Sequence, residues 1–197
     1  MSMNLAPLSV AAVAATGRRY NPTAQALHWV SALLMFIVIP LAWVMVALPK
    51  DAASRETYYM LHKSVGLTIL VIVAVRLAWR AAHPAPPSPS SLAPWEHAAG
   101  RLSHWLLYLI LVGMPFSGYV MSAAGGHAVT FFGLFPLPGL PHNKAVSSDA
   151  HWVHVAIGQW AVYALIVLHL LATVWHVAVR RDAVLGRMLP PTEHDSV

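Results

Sequence analysis

The sequence predicts an all-α integral membrane protein, a bundle of four transmembrane helices. Of its 197 residues 58% are hydrophobic and only 10% are charged, whereas soluble domains have about 25% charged residues. So few charges cannot cover a surface that faces water. Four apolar stretches also reach the roughly 20 residues that a helix needs to cross a bilayer. These two observations exclude an ordinary soluble domain.

The four spans follow one another along the chain, and each ends at glycine, proline or charged residues. The proline-rich segment 83–89 cannot be helical and predicts a stiff surface linker. Pro115 is expected to kink the third span. The apolar stretch 129–140 is broken by glycine and proline and predicts an interfacial lid. The spans run from about Ala26 to Leu48, from Tyr58 to Trp79, from His104 to Ala123 and from His151 to Val179.

One domain is expected, a four-helix unit over residues 19–190. Residues 1–18 form an N-terminal extension whose apolar part, 5–16, is too short to span a bilayer. That part lacks a basic beginning, so we do not expect a cleaved signal peptide. Residues 191–197 form a C-terminal tail.

The basic residues predict the orientation of the bundle. Because the number of spans is even, both termini lie on the same side, and that side has eight arginines against four basic residues on the other. The positive-inside rule therefore places both termini in the cytoplasm. The eight are Arg18, Arg19, Arg76, Arg80, Arg101, Arg180, Arg181 and Arg187, and the four are Lys50, Arg55, Lys63 and Lys144.

The chain has no cysteine but twelve histidines. The lack of cysteine excludes disulfides, iron–sulfur clusters, covalently attached c-type haem and thiolate zinc sites. Histidine is well suited to binding a transition metal within a membrane. The histidines are therefore the first candidates for a cofactor site.

Four histidines form two pairs at two depths in the bilayer. His154 and His169 are fifteen residues apart on the last span, an offset of about 22 Å along a helix. His28 matches His169 in depth, and His62 matches His154. This arrangement predicts the axial ligands of two b-type haems, one near each face. The alternative is that the four make helix–helix hydrogen bonds or a proton relay.

A second pattern concerns the glycines that follow two of these histidines. His62 and His154 each begin the sequence His-x-x-x-Gly, which places Gly66 and Gly158 one turn further on the same helix face. We expect these glycines to leave room for a flat porphyrin. The alternative is that they allow close packing of helices.

His104 and His176 project to the depth of the inner haem, with Arg101 and Arg76 at a similar depth. They are candidates for a quinone or proton-transfer pocket, the alternative being interfacial histidines bonded to headgroups or propionates. His151 is a rival to His154 as outer ligand. Its eighteen-residue offset from His169, about 27 Å, makes it the weaker candidate.

These residues also resemble the bacterial cytochrome b561 family over residues 19–190. The similarity rests on Gln25-Ala26-Leu27-His28-Trp29, Leu61-His62-Lys63-Ser64-Val65-Gly66, Leu168-His169 with His176, and Arg180-Arg181-Asp182 followed by Leu185-Gly186-Arg187-Met188-Leu189-Pro190. The resemblance implies a multi-pass inner-membrane protein that binds two b haems through the same histidine pairs. Some family members are superoxide oxidases that reduce ubiquinone, and others are cytochrome b subunits of hydrogenases and dehydrogenases.

One spacing departs from the family. The two ligands on the last helix are usually fourteen residues apart in the family, and here they are fifteen. The residue fourteen positions before His169 is Val155, which cannot bind iron. The departure predicts a one-residue bulge in the last helix.

The resemblance and the histidine pattern together predict an oxidoreductase-type cytochrome that transfers electrons from an outer donor, best represented by superoxide, to membrane ubiquinone. The alternative is a membrane-anchor subunit that links a partner dehydrogenase or hydrogenase to the quinone pool. The expected partners are membrane lipid, quinone and either superoxide or a redox protein, and no nucleic acid is expected.

Overall fold

A computed structural model describes residues 19–190 of the chain. Within them, four helices are long and apolar enough to cross a membrane, so the prediction of a four-helix membrane bundle is confirmed. The extension predicted at 1–18 and the tail at 191–197 lie outside the described residues. The helices are α1 (Pro22–Ala47), α2 (Arg55–Ala82), α3 (Pro94–Ala124) and α4 (Lys144–Arg180).

All four helices begin earlier than predicted, and capping residues explain the two largest differences, those of α3 and α4. Helix α3 begins at Pro94 and not at His104, because Pro94 suits the first turn of a helix and the Glu96 carboxylate accepts a hydrogen bond from the Ala93 N–H at 2.7 Å. Helix α4 begins at Lys144, where the Asn143 side chain accepts from the Val146 N–H. His104 therefore lies well inside a helix.

Helix α4 is not a regular α-helix along its whole length. It is α-helical to His151, forms a π-helical turn over Trp152–Gly158, continues as α-helix over Gln159–Trp175 and ends in a second π-helical turn, His176–Arg180. A π-helical turn inserts one residue into an α-helix. The predicted bulge in the last helix is confirmed, and it includes His154.

A short antiparallel hairpin connects α3 to α4. Its strands are β1 (Thr130–Phe131) and β2 (Phe135–Pro136), with Phe131 paired to Phe135. The buried Ser64 holds it to α2, since the Ser64 hydroxyl donates to the Thr130 carbonyl at 3.2 Å and accepts from the Phe132 N–H at 2.8 Å. The apolar stretch predicted as a lid thus folds back over one end of the bundle, here called the hairpin end.

At the opposite end, called the terminal end, α1 begins and α4 finishes. After α4 the chain turns at Arg181, whose φ is 50°, and continues through a 3-10 turn, Gly186–Met188, to the start of α1. There the Gln25 amide donates to the carbonyls of Tyr20, Arg187 and Leu189. The two ends of the described chain are therefore joined by hydrogen bonds.

The tightest packing lies between α1, α2 and α3. Val38 of α1 packs with Val65, Ile69 and Val73 of α2, and side chains of α3 surround this cluster. Helix α4 packs along α3 but not closely against α1 or α2, and only 6% of its most apolar window is buried, against 17–22% in the other three spans. The space that α4 leaves is where a cofactor can lie.

Candidate functional site

The first histidine pair joins α1 to α4 near the terminal end. The ring centroids of His28 and His169 are 6.3 Å apart, and their planes are inclined at 68°. The sequence predicted the same pair of histidines from their depth in the bilayer.

The second pair joins α2 to α4 near the hairpin end. The ring centroids of His62 and His154 are also 6.3 Å apart, with their planes perpendicular at 90°. The π-helical turn that includes His154 absorbs the additional residue between it and His169. His151, the rival to His154, is exposed on the preceding regular turn.

The spacing within each pair fits two ligands on opposite sides of one metal ion. A metal lies about 2 Å from an imidazole nitrogen, which is about 1 Å from the ring centroid, so trans ligands have centroids about 6 Å apart. Within residues 19–190, no three histidine or acidic side chains gather around a common point. Two-histidine sites suit an ion whose other ligands come from a macrocycle, as in haem.

The hydrogen bonds of the hairpin-end pair leave one nitrogen of each ring able to bind metal. The Nδ1 of His62 lies 3.1 Å from the Val38 carbonyl, and the Nδ1 of His154 lies 2.9 Å from the Met114 carbonyl. Because a carbonyl only accepts hydrogen bonds, each Nδ1 carries the proton and each Nε2 keeps its lone pair. This is the arrangement that orients metal-binding histidines.

The terminal-end pair differs in its hydrogen bonding. The Arg76 guanidinium donates to Nδ1 of His28 at 3.1 Å, and its carbon lies 5.2 Å from the Tyr108 ring centroid. Because a guanidinium only donates, Nδ1 of His28 accepts and Nε2 carries the proton. A metal bond at Nε2 of His28 therefore requires Arg76 to release the ring.

A cavity of about 1060 Å³ surrounds the terminal-end pair, at the upper end of the roughly 300–1,000 Å³ of ligand pockets. It is lined by apolar side chains of α1, α3 and α4 and by residues of the proline-rich linker. This volume accommodates a large planar cofactor beside the two histidines. The polar lining includes His28, His104, His169, His176, Arg76, Arg80 and Arg187.

His104 lies closer to the pair than its sequence position indicates. Its ring centroid is 6.3 Å from that of His169, the same separation as between His28 and His169. Distance alone therefore does not distinguish His28 from His104 as the partner of His169. The sequence placed His104 near the depth of this pair, but it could not indicate that His104 lies as close to His169 as His28 does.

The predicted quinone-site residues are not all in one place. His176 lines the cavity, and its Nδ1 is 2.7 Å from the Asp182 carboxylate. Arg101, in contrast, is exposed in a separate shallow depression beside Ser88 and His97. Because α3 begins at Pro94, Arg101 lies within this helix and not before it. Of the two arginines predicted near the inner histidines, Arg76 lines the cavity.

The glycines that follow the hairpin-end histidines face α3. A Cβ atom at Gly158 would collide with the Met114 sulfur, and one at Gly66 would lie 3.9 Å from the Pro115 side chain. These contacts are those of close helix packing, the alternative interpretation of the glycine pattern. That the two glycines also clear a porphyrin stays a prediction.

A third glycine, Gly118 of α3, contacts a proposed ligand directly. A Cβ at Gly118 would lie 2.9 Å from Cε1 of His154, which is too close. Nothing in the spacing of the sequence identifies Gly118, because the contact is between residues of different helices. The absence of a side chain there is what lets the His154 ring lie against α3.

Comparison with known proteins agrees with this geometry. A family profile described as prokaryotic cytochrome b561 matches residues 19–191. Cytochrome b561 homolog 2 of Escherichia coli K12 is 31% identical over 181 residues, covering 91% of this chain and 96% of that protein. The probable superoxide oxidase CybB of Yersinia pestis is 27% identical, covering 88% and 97%, respectively.

Proposed function

The chain belongs to the prokaryotic cytochrome b561 family, and on that basis we propose that it passes electrons from superoxide at the outer face of the membrane to ubiquinone at the inner face. Membership makes it a multi-pass bacterial inner-membrane protein that binds b-type haem and transfers electrons. The donor, the acceptor, the number of haems and their ligands are the parts that we propose.

We propose that His62 and His154 hold one b haem and that His28 and His169 hold a second. The observation that carries this proposal is the equal 6.3 Å separation of the two ring pairs at opposite ends of the bundle. When bound, each haem would supply a one-electron iron couple and would be held by the two imidazoles of its pair. The carbonyls of Val38 and Met114 would orient the outer ligands.

At the inner site we propose that Arg76 changes partner when haem binds. It donates to Nδ1 of His28, and haem binding would free it to pair with an anionic propionate, which needs a cation when partly buried. The release also lets the proton of His28 move to Nδ1, so that Nε2 can bind iron.

The orientation of the bundle is part of the proposal. The terminal end, with seven of the eleven basic residues that lie within 19–190, faces the cytoplasm, and the hairpin end faces outward. Superoxide is a small anion, and Arg55, Lys63 and Lys144 at the hairpin end would attract it. The name of the Yersinia pestis relative, a probable superoxide oxidase, supports superoxide as the donor.

Ubiquinone is proposed to bind in the terminal-end cavity, beside His104 and His176. A quinone needs two protons as well as two electrons, and histidines near an aqueous opening can supply protons at neutral pH. The overall reaction is balanced: two superoxide ions, one quinone and two protons give two molecules of dioxygen and one quinol.

A stopped-flow experiment tests the proposal. The purified protein is mixed first with superoxide and then with ubiquinone, and the haem absorbance is followed. We expect rapid reduction by superoxide and reoxidation that depends on the quinone. A protein that superoxide does not reduce, but that co-purifies with a dehydrogenase which reduces it, would instead be the membrane-anchor subunit of that enzyme.

A further inference from the structure

The chain reverses direction just after α4 and places a carboxylate on His176. Oδ2 of Asp182 lies 2.7 Å from Nδ1 of His176, and both side chains are largely buried, with 11% and 15% of their surfaces exposed, respectively. Arg181 makes the reversal by taking a left-handed conformation, with φ 50° and ψ 43°. Residues other than glycine rarely do so.

The carboxylate of Asp182 is fixed from several directions. Oδ1 accepts from the Val184 N–H at 3.1 Å, while Nε of Arg180 lies 3.9 Å from Oδ2. Arg180 also pairs with Glu96 of α3 at 3.3 Å. The charged groups around His176 thus connect the end of α4 to the beginning of α3.

A carboxylate at this position is not explained by helix stability. The C-terminal end of a helix carries partial negative charge, which disfavours Asp and favours cations. Asp182 follows the last turn of α4, and its own N–H is bonded to the His176 carbonyl at 3.2 Å. The Asp182 carboxylate is instead stabilised at this position by its contacts with the His176 ring and with Arg180.

The pair has the form of a proton donor. Since the Nδ1–H of His176 donates to the carboxylate, Nε2 is the ring nitrogen that remains for a ligand. His176 lines the same cavity as His104 and His169. We propose that His176 protonates a quinone oxygen in this cavity, and that Asp182 is the positioning residue that orients and stabilises the charged ring. This inference rests on the proposed function.

The proton and electron balance is as follows. The N–H bond of His176 breaks as an O–H bond forms on the quinone, and the ring regains its proton from water at the terminal end. Two such transfers convert the quinone to quinol. The two electrons come from the donor that is oxidised at the hairpin end, so two superoxide ions become dioxygen.

The test uses the full-length, haem-loaded protein, reduced chemically beforehand so that no outer donor is needed. Reoxidation by a short-chain ubiquinone and its binding affinity are measured for H176A, D182N, D182E and the control D149N. Asp149 is exposed at the other end of α4. We expect reoxidation about 100-fold slower in H176A and about tenfold slower in D182N. D182E should recover most of the rate, and D149N should match the wild type.

Two further observations separate proton transfer from a structural role. Added imidazole should restore reoxidation in H176A, while quinone affinity and the haem spectrum stay those of the wild type. Wild-type rates in H176A and D182N, or a lost rate that imidazole does not restore, would overturn this inference while leaving quinone reduction itself intact. A wild-type protein that no quinone reoxidises would overturn the proposed function as well.

Discussion

At the scale of single residues, hydrogen bonding distinguishes the two histidine pairs more clearly than distance does. His62 and His154 donate Nδ1–H to helix carbonyls, whereas His28 accepts from Arg76. In the proposal, the hairpin-end rings would already offer their Nε2 atoms to a metal, whereas the His28 ring would not. We expect the inner haem to load more slowly because Arg76 must move first.

Replacing the proposed ligands should remove the haems in pairs. We expect His62→Ala and His154→Ala to lose the same haem, and His28→Ala and His169→Ala to lose the other, because each pair shares one iron. Redox titration monitored by absorbance identifies which component is lost. His104→Ala should keep both haems, and so should His151→Ala.

The critical comparison within that series is His28 against His104, which lie equally far from His169. If His104→Ala removes the inner haem and His28→Ala spares it, the inner ligand assignment is wrong. Likewise, loss of the outer haem in His151→Ala, but not in His154→Ala, would transfer that role to His151.

Two glycines of α3 give a matched test of the outer site. Gly118→Ala places a methyl group 2.9 Å from the His154 ring, so we expect the ring to shift and the hairpin-end haem to be lost or weakly bound. Gly113→Ala meets no other atom within 4 Å and should keep full haem content. Equal haem content in the two variants would show that His154 does not need the space at Gly118.

The sequence predicted those site residues whose role depends on their depth along their own helix. Depth alone grouped His28 with His169 and His62 with His154, and the structure brings both pairs together. Val38, Met114 and Gly118 could not be predicted, because their roles come from a backbone carbonyl or a missing side chain on another helix. Such contacts depend on how helices are rotated against each other.

At the scale of elements, the π-helical turn Trp152–Gly158 explains how α4 presents both of its histidines to the bundle. Deleting Val155 should convert this turn to regular α-helix and keep both haems, because it removes the inserted residue from within the π-helical turn itself. Deleting Ala164 from the regular segment should rotate His154 by about 100° relative to His169 and remove one haem. Haem content per chain is the measurement.

The opposite result would be equally informative. Loss of a haem on deletion of Val155, together with retention on deletion of Ala164, would mean that the extra residue of α4 lies elsewhere. A spacing of fifteen predicted that a bulge exists, but sequence alone could not fix its position.

The hairpin is the second element with a testable attachment. Ser64→Ala removes the hydrogen bond that the Ser64 hydroxyl accepts from the Phe132 N–H, which contributes roughly 1 kcal/mol. It also removes the longer bond to the Thr130 carbonyl, which shares the single hydroxyl proton with the Met60 carbonyl of α2. We expect faster hydrogen exchange at the Phe132 amide, whose N–H donates to Ser64. The exposed Ser148 provides the control, Ser148→Ala. Unchanged exchange in Ser64→Ala would mean that other contacts hold the hairpin in place.

At the scale of the whole molecule, composition and the four long apolar stretches together sufficed for the fold class, because a helix satisfies the backbone hydrogen bonds of each apolar stretch within the membrane. It could not indicate that α4 packs on α3 and stays away from α1 and α2, or that a cavity of about 1060 Å³ lies within the bundle. That separation depends on which faces of the helices meet. The separation leaves space for a cofactor inside the bundle.

The central claim is that this bundle holds two b haems, one for each histidine pair. Pyridine haemochrome analysis of the purified protein, combined with an independent determination of protein concentration, tests it most directly. We expect about two non-covalently bound b haems per chain, because two separate pairs have the spacing of trans ligands. One haem per chain, or none, would contradict the account.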